Sequence, residues 1–226
     1  MRIPYALQPL LEALTAAAFL LLYSQPALCQ SAAAKEPRLQ IFVQGGVAAY
    51  TDTTGTKPDA AGSPFTLRKS LGPSPYTSAG FRIAISSRNS LEATYSYSLS
   101  SGTLTHFLSR PTLPVFFTDT TRFYFDSIHV SYVRTLSWKE KCQTYFLGGM
   151  GVSVFTGRWT REIFPSGTFG AGIDVQLNRH FSIRMEQRLI VTGAPKRTFF
   201  IDSPTFEVPG KTFISAPSLG LIWRFR

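Results

Sequence analysis

The sequence of 226 residues has little cysteine and little charge. Its two cysteines are Cys29 and Cys142. Because Cys29 lies in an N-terminal segment that we expect to be removed, no intrachain disulfide framework is expected in the mature chain. Charged residues make up 16% of the sequence, against about 25% in a typical soluble domain. This shortage of charge argues against an ordinary soluble protein.

Long apolar runs and cofactor motifs are also missing. Beyond residue 30, no segment is apolar over the roughly 20 residues that a membrane-spanning helix requires, and helical periodicity is almost absent. There is no glycine-rich phosphate loop and no set of Cys and His with metal-ligand spacing. We therefore expect no cofactor and no metal site.

The first 29 residues have the order of a secretory signal peptide. Arg2 gives a positive start, residues 10–23 form a mostly apolar run, and small residues surround Cys29. The run is too short to span a bilayer, which favours a cleaved signal over an anchor. We expect residues 1–29 to be removed after export and residues 30–226 to form one domain.

The mature chain is instead rich in segments that alternate apolar with polar or small residues. Residues 91–100 are the clearest, with apolar residues at odd positions and polar residues at even positions. Residues 76–86 and 169–177 repeat the pattern, which is typical of β-strands with one apolar face. Aromatic residues reach 14% of the sequence. Together with the low charge, this composition favours a transmembrane β-barrel.

The spacing of these segments predicts the number of strands. We predict eight, near residues 38–50, 76–86, 90–100, 122–135, 142–155, 167–177, 180–192 and 212–226. The connections after the second, fourth and sixth strands are short and the others are long, as in outer-membrane barrels with short periplasmic turns. The fold class is thus all-β, a closed eight-stranded antiparallel up-and-down transmembrane β-barrel. Two extra strands built from the long first or second loop stay open as an alternative.

Charged residues recur at alternate positions on the polar faces of four predicted strands. In an eight-stranded barrel, side chains fill the interior. We therefore predict that these charges pair inside the lumen in a structural network rather than a catalytic one. The predicted lumen charge network consists of Arg82, Glu92, Asp174, Arg184, Glu186 and Arg188.

The C-terminal residues carry the most specific motif. Ser218, Gly220, Trp223 and Phe225 match the terminal-strand signal by which outer-membrane proteins are recognised for assembly. Arg226 departs from that pattern, because an aromatic residue more often ends the chain. We expect the odd positions from Leu219 to Phe225 to face lipid, with the aromatic residues near a membrane interface.

The mature chain resembles the small OmpA/OmpX-type barrels of the outer membrane protein beta-barrel domain family. Residues 148–152, 184–188 and 220–225 carry that resemblance. It implies a closed, membrane-embedded barrel with variable outer loops. It implies no particular reaction, because this fold hosts several roles.

His129 and Ser131 form the one catalytic pattern that we weigh. They share a strand face, and lipid A deacylases, which are also eight-stranded barrels, use a His/Ser arrangement with an acidic partner. Such a site must face the membrane, whereas the alternation turns His129 and Ser131 inward. We therefore expect no enzyme. The alternatives are a lipid A deacylase-like hydrolase using these two residues, and a soluble periplasmic barrel that binds an apolar ligand.

The net charge of +10 would suit nucleic acid, but export argues against that partner. Acidic lipid headgroups suit the charge better, and basic residues in the predicted outer loops could contact lipopolysaccharide phosphates. We expect a bacterial outer-membrane protein with a structural, adhesion or surface-binding role. Its expected partners are outer-membrane lipids and lipopolysaccharide, the outer-membrane assembly machinery and an extracellular ligand at the loops. The basic loop residues are Lys57, Arg68, Lys69, Arg110, Arg158, Arg161, Lys196, Arg197 and Lys211.

Overall fold

The computed structural model describes residues 39–58, 64–108, 115–139, 141–157, 161–194 and 211–225. The predicted signal peptide lies outside these residues. Ten antiparallel strand segments are present in the described ranges: β1 Leu39–Tyr50, β2 Thr53–Pro58, β3 Pro64–Leu71, β4 Ser74–Ala84, β5 Asn89–Leu108, β6 Val115–Lys139, β7 Cys142–Thr156, β8 Arg161–Gln176, β9 Phe181–Gly193 and β10 Lys211–Phe225. No helix in these ranges is long and apolar enough to cross a bilayer.

Eight of the strands close into a barrel. β1 pairs with β4 on one side and with β10 on the other, and each strand from β4 to β10 pairs with the next along the chain. The first and last strands meet over most of their length, from Leu39 opposite Phe225 to Tyr50 opposite Ile214. The predicted fold class, a closed eight-stranded antiparallel barrel, is confirmed, and each of the eight predicted strands is present.

The two additional strands lengthen the barrel wall and do not widen it. β3 pairs with the outer part of β5, β2 pairs with β3, and β5 stays paired with β6 as far as Leu108 opposite Val115. Large parts of the predicted first and second loops are therefore strand. Residues 53–58 and 115–121 do not alternate apolar with polar residues, which is why the predicted strands end too early.

The two faces of the barrel differ in polarity. Large apolar side chains point outward on every wall strand, with Val43, Ile128 and Met150 exposed by 61%, 61% and 77%. Serine, threonine and charged residues point inward and are buried. A soluble ligand-binding barrel needs the reverse arrangement, with its apolar faces inward. This finding removes the basis of that alternative and agrees with an exterior that contacts lipid.

Glycines on the inner face make room for large lumen side chains. A methyl group added at Gly151 of β7 would meet the carbonyl oxygen of Ile128 and lie 2.8 Å from Cδ2 of His129. Gly45 of β1 points outward, and an added methyl group there has nothing within 4 Å. Both residues are glycines in β-strands, but only Gly45 has space for an added methyl group.

We expect Gly151→Ala to lower the free energy of unfolding by about 1–3 kcal/mol, the usual cost of inserting atoms into a packed interior. Gly45→Ala is the control and should change it little. Urea-induced unfolding of barrels refolded in lipid vesicles, followed by tryptophan fluorescence, measures both. Equal effects of the two substitutions would contradict the close packing of His129 on β7.

Candidate functional site: the charged interior of the barrel

The charged interior is built from two hairpins that face each other across the lumen. In the β4–β5 hairpin, Arg82 is directly opposite Glu92. In the β8–β9 hairpin, Asp174 is directly opposite Arg184. Both pairs lie on the inner face, close to short turns at the same end of the barrel, and all four side chains are buried. Alternation along the strand is what turns these residues inward.

These four side chains form a ring of alternating charge. Nη2 of Arg82 lies 2.8 Å from Oε2 of Glu92, and Nε of Arg184 lies 2.9 Å from Oδ1 of Asp174. Two further pairs join the hairpins: Nη1 of Arg184 donates to Oε2 of Glu92 at 3.0 Å, and Nη1 of Arg82 donates to Oδ2 of Asp174 at 3.3 Å. Each charge in the ring thus has two partners of opposite sign.

Arg188 and Glu186 extend the ring along β9. Nη2 of Arg188 lies 2.7 Å from Oε1 of Glu92 and 2.6 Å from Oε1 of Glu186. The hydroxyl of Tyr145 donates to Oε2 of Glu186 at 2.6 Å. The structure therefore brings all six predicted lumen charges into one network, and Glu92 is its centre because three arginines contact it.

The buried network contains equal numbers of positive and negative charges. Three arginines and three carboxylates take part, so the formal charge is zero, and isolated charges at these positions would be very costly. Aromatic rings cover the guanidinium groups, with Cζ of Arg82 4.3 Å from the ring centroid of Tyr145 and Cζ of Arg184 4.4 Å from that of Phe42. The balance leaves no surplus charge to attract an ionic ligand.

An apolar cluster fills the lumen on the outer side of the charges. Phe125 lies at its centre, with its ring centroid 5.1 Å from that of Phe155 and 6.3 Å from that of Tyr50. From the sequence we predict a lumen lined only by polar and charged residues, so this apolar cluster differs from the prediction. The available signal was the inward parity of the phenylalanines on β6 and β7. The buried members are Ala48, Tyr50, Leu71, Tyr76, Phe123, Phe125, Phe155, Ile190, Ile214 and Ala216.

His129 and Ser131 both point into the lumen, as the alternation predicts, and both are buried. His129 does not pair with Ser131. Its Nε2 lies 2.9 Å from Oγ of Ser166 on β8, while its Nδ1 has no hydrogen-bond partner among the described residues. A His/Ser site for membrane lipid would need to face outward and to have an orienting acid on the second nitrogen. Neither condition is met within the described ranges.

The terminal-strand residues lie where barrel closure takes place. Ser218 and Gly220 pair with Gly46 and Gln44 of β1, and the Trp223 side chain is 51% exposed on the outer surface. The Trp223 ring stacks on those of Phe225 and Phe181, with centroid distances of 5.1 and 5.9 Å. The role of this segment as an assembly signal stays a prediction.

The basic loop residues lie in several environments. Arg161 and Lys211 are exposed at the outer ends of β8 and β10. Lys57, Arg68 and Lys69 belong to β2 and β3, whose side chains the structure does not describe. The remaining four, Arg110, Arg158, Lys196 and Arg197, lie outside the described residues. Within the described ranges, no group of three or more His, Cys, Asp or Glu residues is arranged to hold a metal ion.

Comparison with known proteins supports the fold. No family model and no curated protein sequence matches the chain. The solid-state NMR structure of outer membrane protein AlkL in lipid bilayers matches with a TM-score of 0.52 at 12% identity, over 89% of this chain and 98% of AlkL. OprG from Pseudomonas aeruginosa gives 0.49 at 13% identity, covering 84% and 98%. Neisserial surface protein A gives 0.44 at 13% identity, covering 82% and 97%.

The likeness to AlkL establishes the fold as that of a small barrel of the outer-membrane type. Membership of the OmpA/OmpX-type family itself stays a prediction, because the identity is low and the likeness is one of architecture.

Glu92→Gln should be the most damaging single neutralisation among the lumen carboxylates. It leaves three buried arginines short of a partner, and breaking a buried ion pair from one side costs about 3–5 kcal/mol. Glu186→Gln is the matched control, because Arg188 is the only arginine that contacts Glu186 closely, and its cost should be smaller. Urea-induced unfolding in lipid vesicles compares the two. Equal losses would show that Glu92 is not the centre of the network.

Proposed function

We propose that this chain is a bacterial outer-membrane β-barrel protein with a structural, adhesion or surface-binding role and without chemistry of its own. The observation that carries the proposal is the division of polarity between the two faces of a closed sheet. Apolar side chains cover the outside, and a neutral charge network with an apolar cluster fills the inside. A barrel of this kind can be embedded in a bilayer, and its filled interior leaves little room for a diffusive pore.

The outer-membrane location is supported by physical chemistry and by the fold. Only helices and closed barrels satisfy all backbone hydrogen bonds in a bilayer, and closure here is complete because β1 meets β10. The apolar run at residues 10–23 would direct export.

The proposed lack of catalysis is supported by the placement of His129 and Ser131. Both are buried in the lumen, away from the acyl chains that a lipid hydrolase would have to reach. The six charges of the lumen network are ion-paired with one another, so they are not poised to act on a substrate.

A binding role would belong to the outer extension formed by β2, β3 and the outer parts of β5 and β6. These strands continue beyond the part of the wall that all eight strands share. Exposed segments positioned by a rigid scaffold often carry binding residues, whereas the membrane part of the wall is constrained by lipid and packing.

The first test is whether the mature chain folds in detergent. A closed barrel resists unfolding by detergent, so the unboiled protein should migrate faster on a denaturing gel than the boiled protein. A boiled-and-unboiled pair of a soluble β-sandwich is the control for detergent effects. Absence of a shift, together with folding in plain buffer, would overturn the membrane assignment.

The second test is the orientation in the outer membrane. In a Cys142→Ser background, Lys211→Cys, at the exposed outer end of β10, should react on intact cells with a membrane-impermeant maleimide. Ser87→Cys, in the turn between β4 and β5, is the matched control and should react only after the outer membrane is permeabilised. Labelling of position 87 on intact cells would mean that the orientation is inverted.

A further inference from the structure

A strip of three polar side chains lies on the outer surface of β6 and is not explained by barrel packing. Arg122, Tyr124 and Asp126 alternate with the inward-facing Phe123 and Phe125. Arg122 is exposed, Tyr124 is 42% exposed, and Asp126 is half-buried. Acidic side chains are unfavourable on the lipid-facing surface of a barrel, so the position of Asp126 calls for a physical explanation.

The height of the strip on the barrel places it at one membrane boundary. Arg134, on the same face of β6, lies close to the turn that joins β6 to β7. Arg122 and Arg134 are twelve positions apart on β6, which corresponds to about 40 Å along a strand, or roughly 30 Å across the membrane at the usual tilt. Since the apolar band of such barrels is about 25 Å tall, Arg134 and Arg122 mark opposite interfaces. Arg122 thus faces the headgroups of the outer leaflet, and Asp126, four positions closer to Arg134 on the same strand, lies about 10 Å deeper.

Neighbouring side chains on β5 hold the strip in place. Oη of Tyr95 donates to Oδ1 of Asp126 at 2.5 Å, which orients the carboxylate along the outer surface. Tyr97 is directly opposite Asp126, and its ring centroid lies 6.4 Å from that of Tyr124. The result is a patch of tyrosine rings with an acceptor at its inner end and a guanidinium at its outer end.

We propose that this patch binds the headgroup of an outer-leaflet glycolipid, in the form of a phosphorylated amino sugar. The guanidinium of Arg122 pairs with a phosphate by charge-assisted hydrogen bonds. The carboxylate of Asp126 accepts hydrogen bonds from sugar hydroxyl or amide groups, and the tyrosine rings lie against the apolar faces of the sugar. The proposal rests on the proposed membrane location and names a specific lipid partner within it.

The dimensions of the strip favour a sugar over a small zwitterionic headgroup. The Cα atoms of Arg122 and Asp126 are four residues apart on one strand, a separation of about 13 Å. A phosphoethanolamine group is too short to satisfy both ends, whereas a sugar ring with its phosphate fills the space between them. A headgroup that offers only anionic oxygens is disfavoured as well, because it has no hydroxyl or amide donor for the carboxylate of Asp126.

The test uses barrels refolded from denaturant in detergent, and therefore free of native lipid, with lipid A added in a titration. Native mass spectrometry counts the barrels that retain it. We expect Arg122→Gln and Asp126→Asn each to reduce the apparent affinity about tenfold, which corresponds to loss of one charge-assisted hydrogen bond of about 1.4 kcal/mol. Each variant is first checked for the gel shift of a folded barrel.

Arg134→Gln is the matched control, because Arg134 lies on the same strand and the same face at the other membrane boundary, and it should leave retention unchanged. The proposal is overturned if this control weakens retention equally, if Asp126→Asn has no effect, or if phosphatidylethanolamine is retained as well as lipid A. If free glucosamine phosphate binds as tightly as lipid A, the ligand is a soluble sugar phosphate and not a membrane lipid. A chain that folds but retains no lipid A refutes this inference alone, whereas a chain that does not fold in detergent refutes the membrane location too.

Discussion

The closure of the sheet is the constraint on which the rest of this structure depends. A backbone N–H or C=O group left unpaired in hydrocarbon costs several kcal/mol, so a membrane sheet cannot have a free edge. The pairing of β1 with both β4 and β10 removes that edge. Once the sheet is closed, strand alternation leaves two destinations for a side chain, the lipid or the lumen. The apolar exterior and the crowded, charged interior follow from that division.

Interior packing then depends on pairing large side chains with small ones. Eight strands enclose a narrow space, and the guanidinium groups, Tyr145, Phe42 and His129 all enter it. Glycines at inward positions offset this volume, as Gly151 does beneath the His129 ring and Gly172 beneath the Tyr145 hydroxyl. The inner glycines therefore belong to the same arrangement as the charges and the aromatic rings.

Much of this arrangement could be predicted from residue order alone, because a period of two assigns each residue to a face. The eight wall strands and the inward direction of the six lumen charges required only that rule. The partner of His129 could not be predicted, since Ser166 reaches it through the register of three strands. The outer extension was missed for a different reason: parts of it, such as residues 53–58 and 115–121, do not alternate apolar with polar residues. The aromatic lumen cluster was missed because the lumen was expected to be polar, although Phe125 and Phe155 have the inward parity of their strands.

The ring of four charges has a consequence for how the protein enters the membrane. Arg82 and Glu92 belong to one hairpin, and Asp174 and Arg184 belong to another, so these buried charges are paired within each hairpin before the two hairpins meet. A β-hairpin that carries its own counter-ion avoids moving a net charge into a medium of low dielectric constant. Insertion can then proceed hairpin by hairpin, and the cross-lumen pairs form when the last strand joins the first. The pairs within each hairpin thus lower the cost of burying the charges during insertion, and the pairs between hairpins connect opposite walls of the finished barrel.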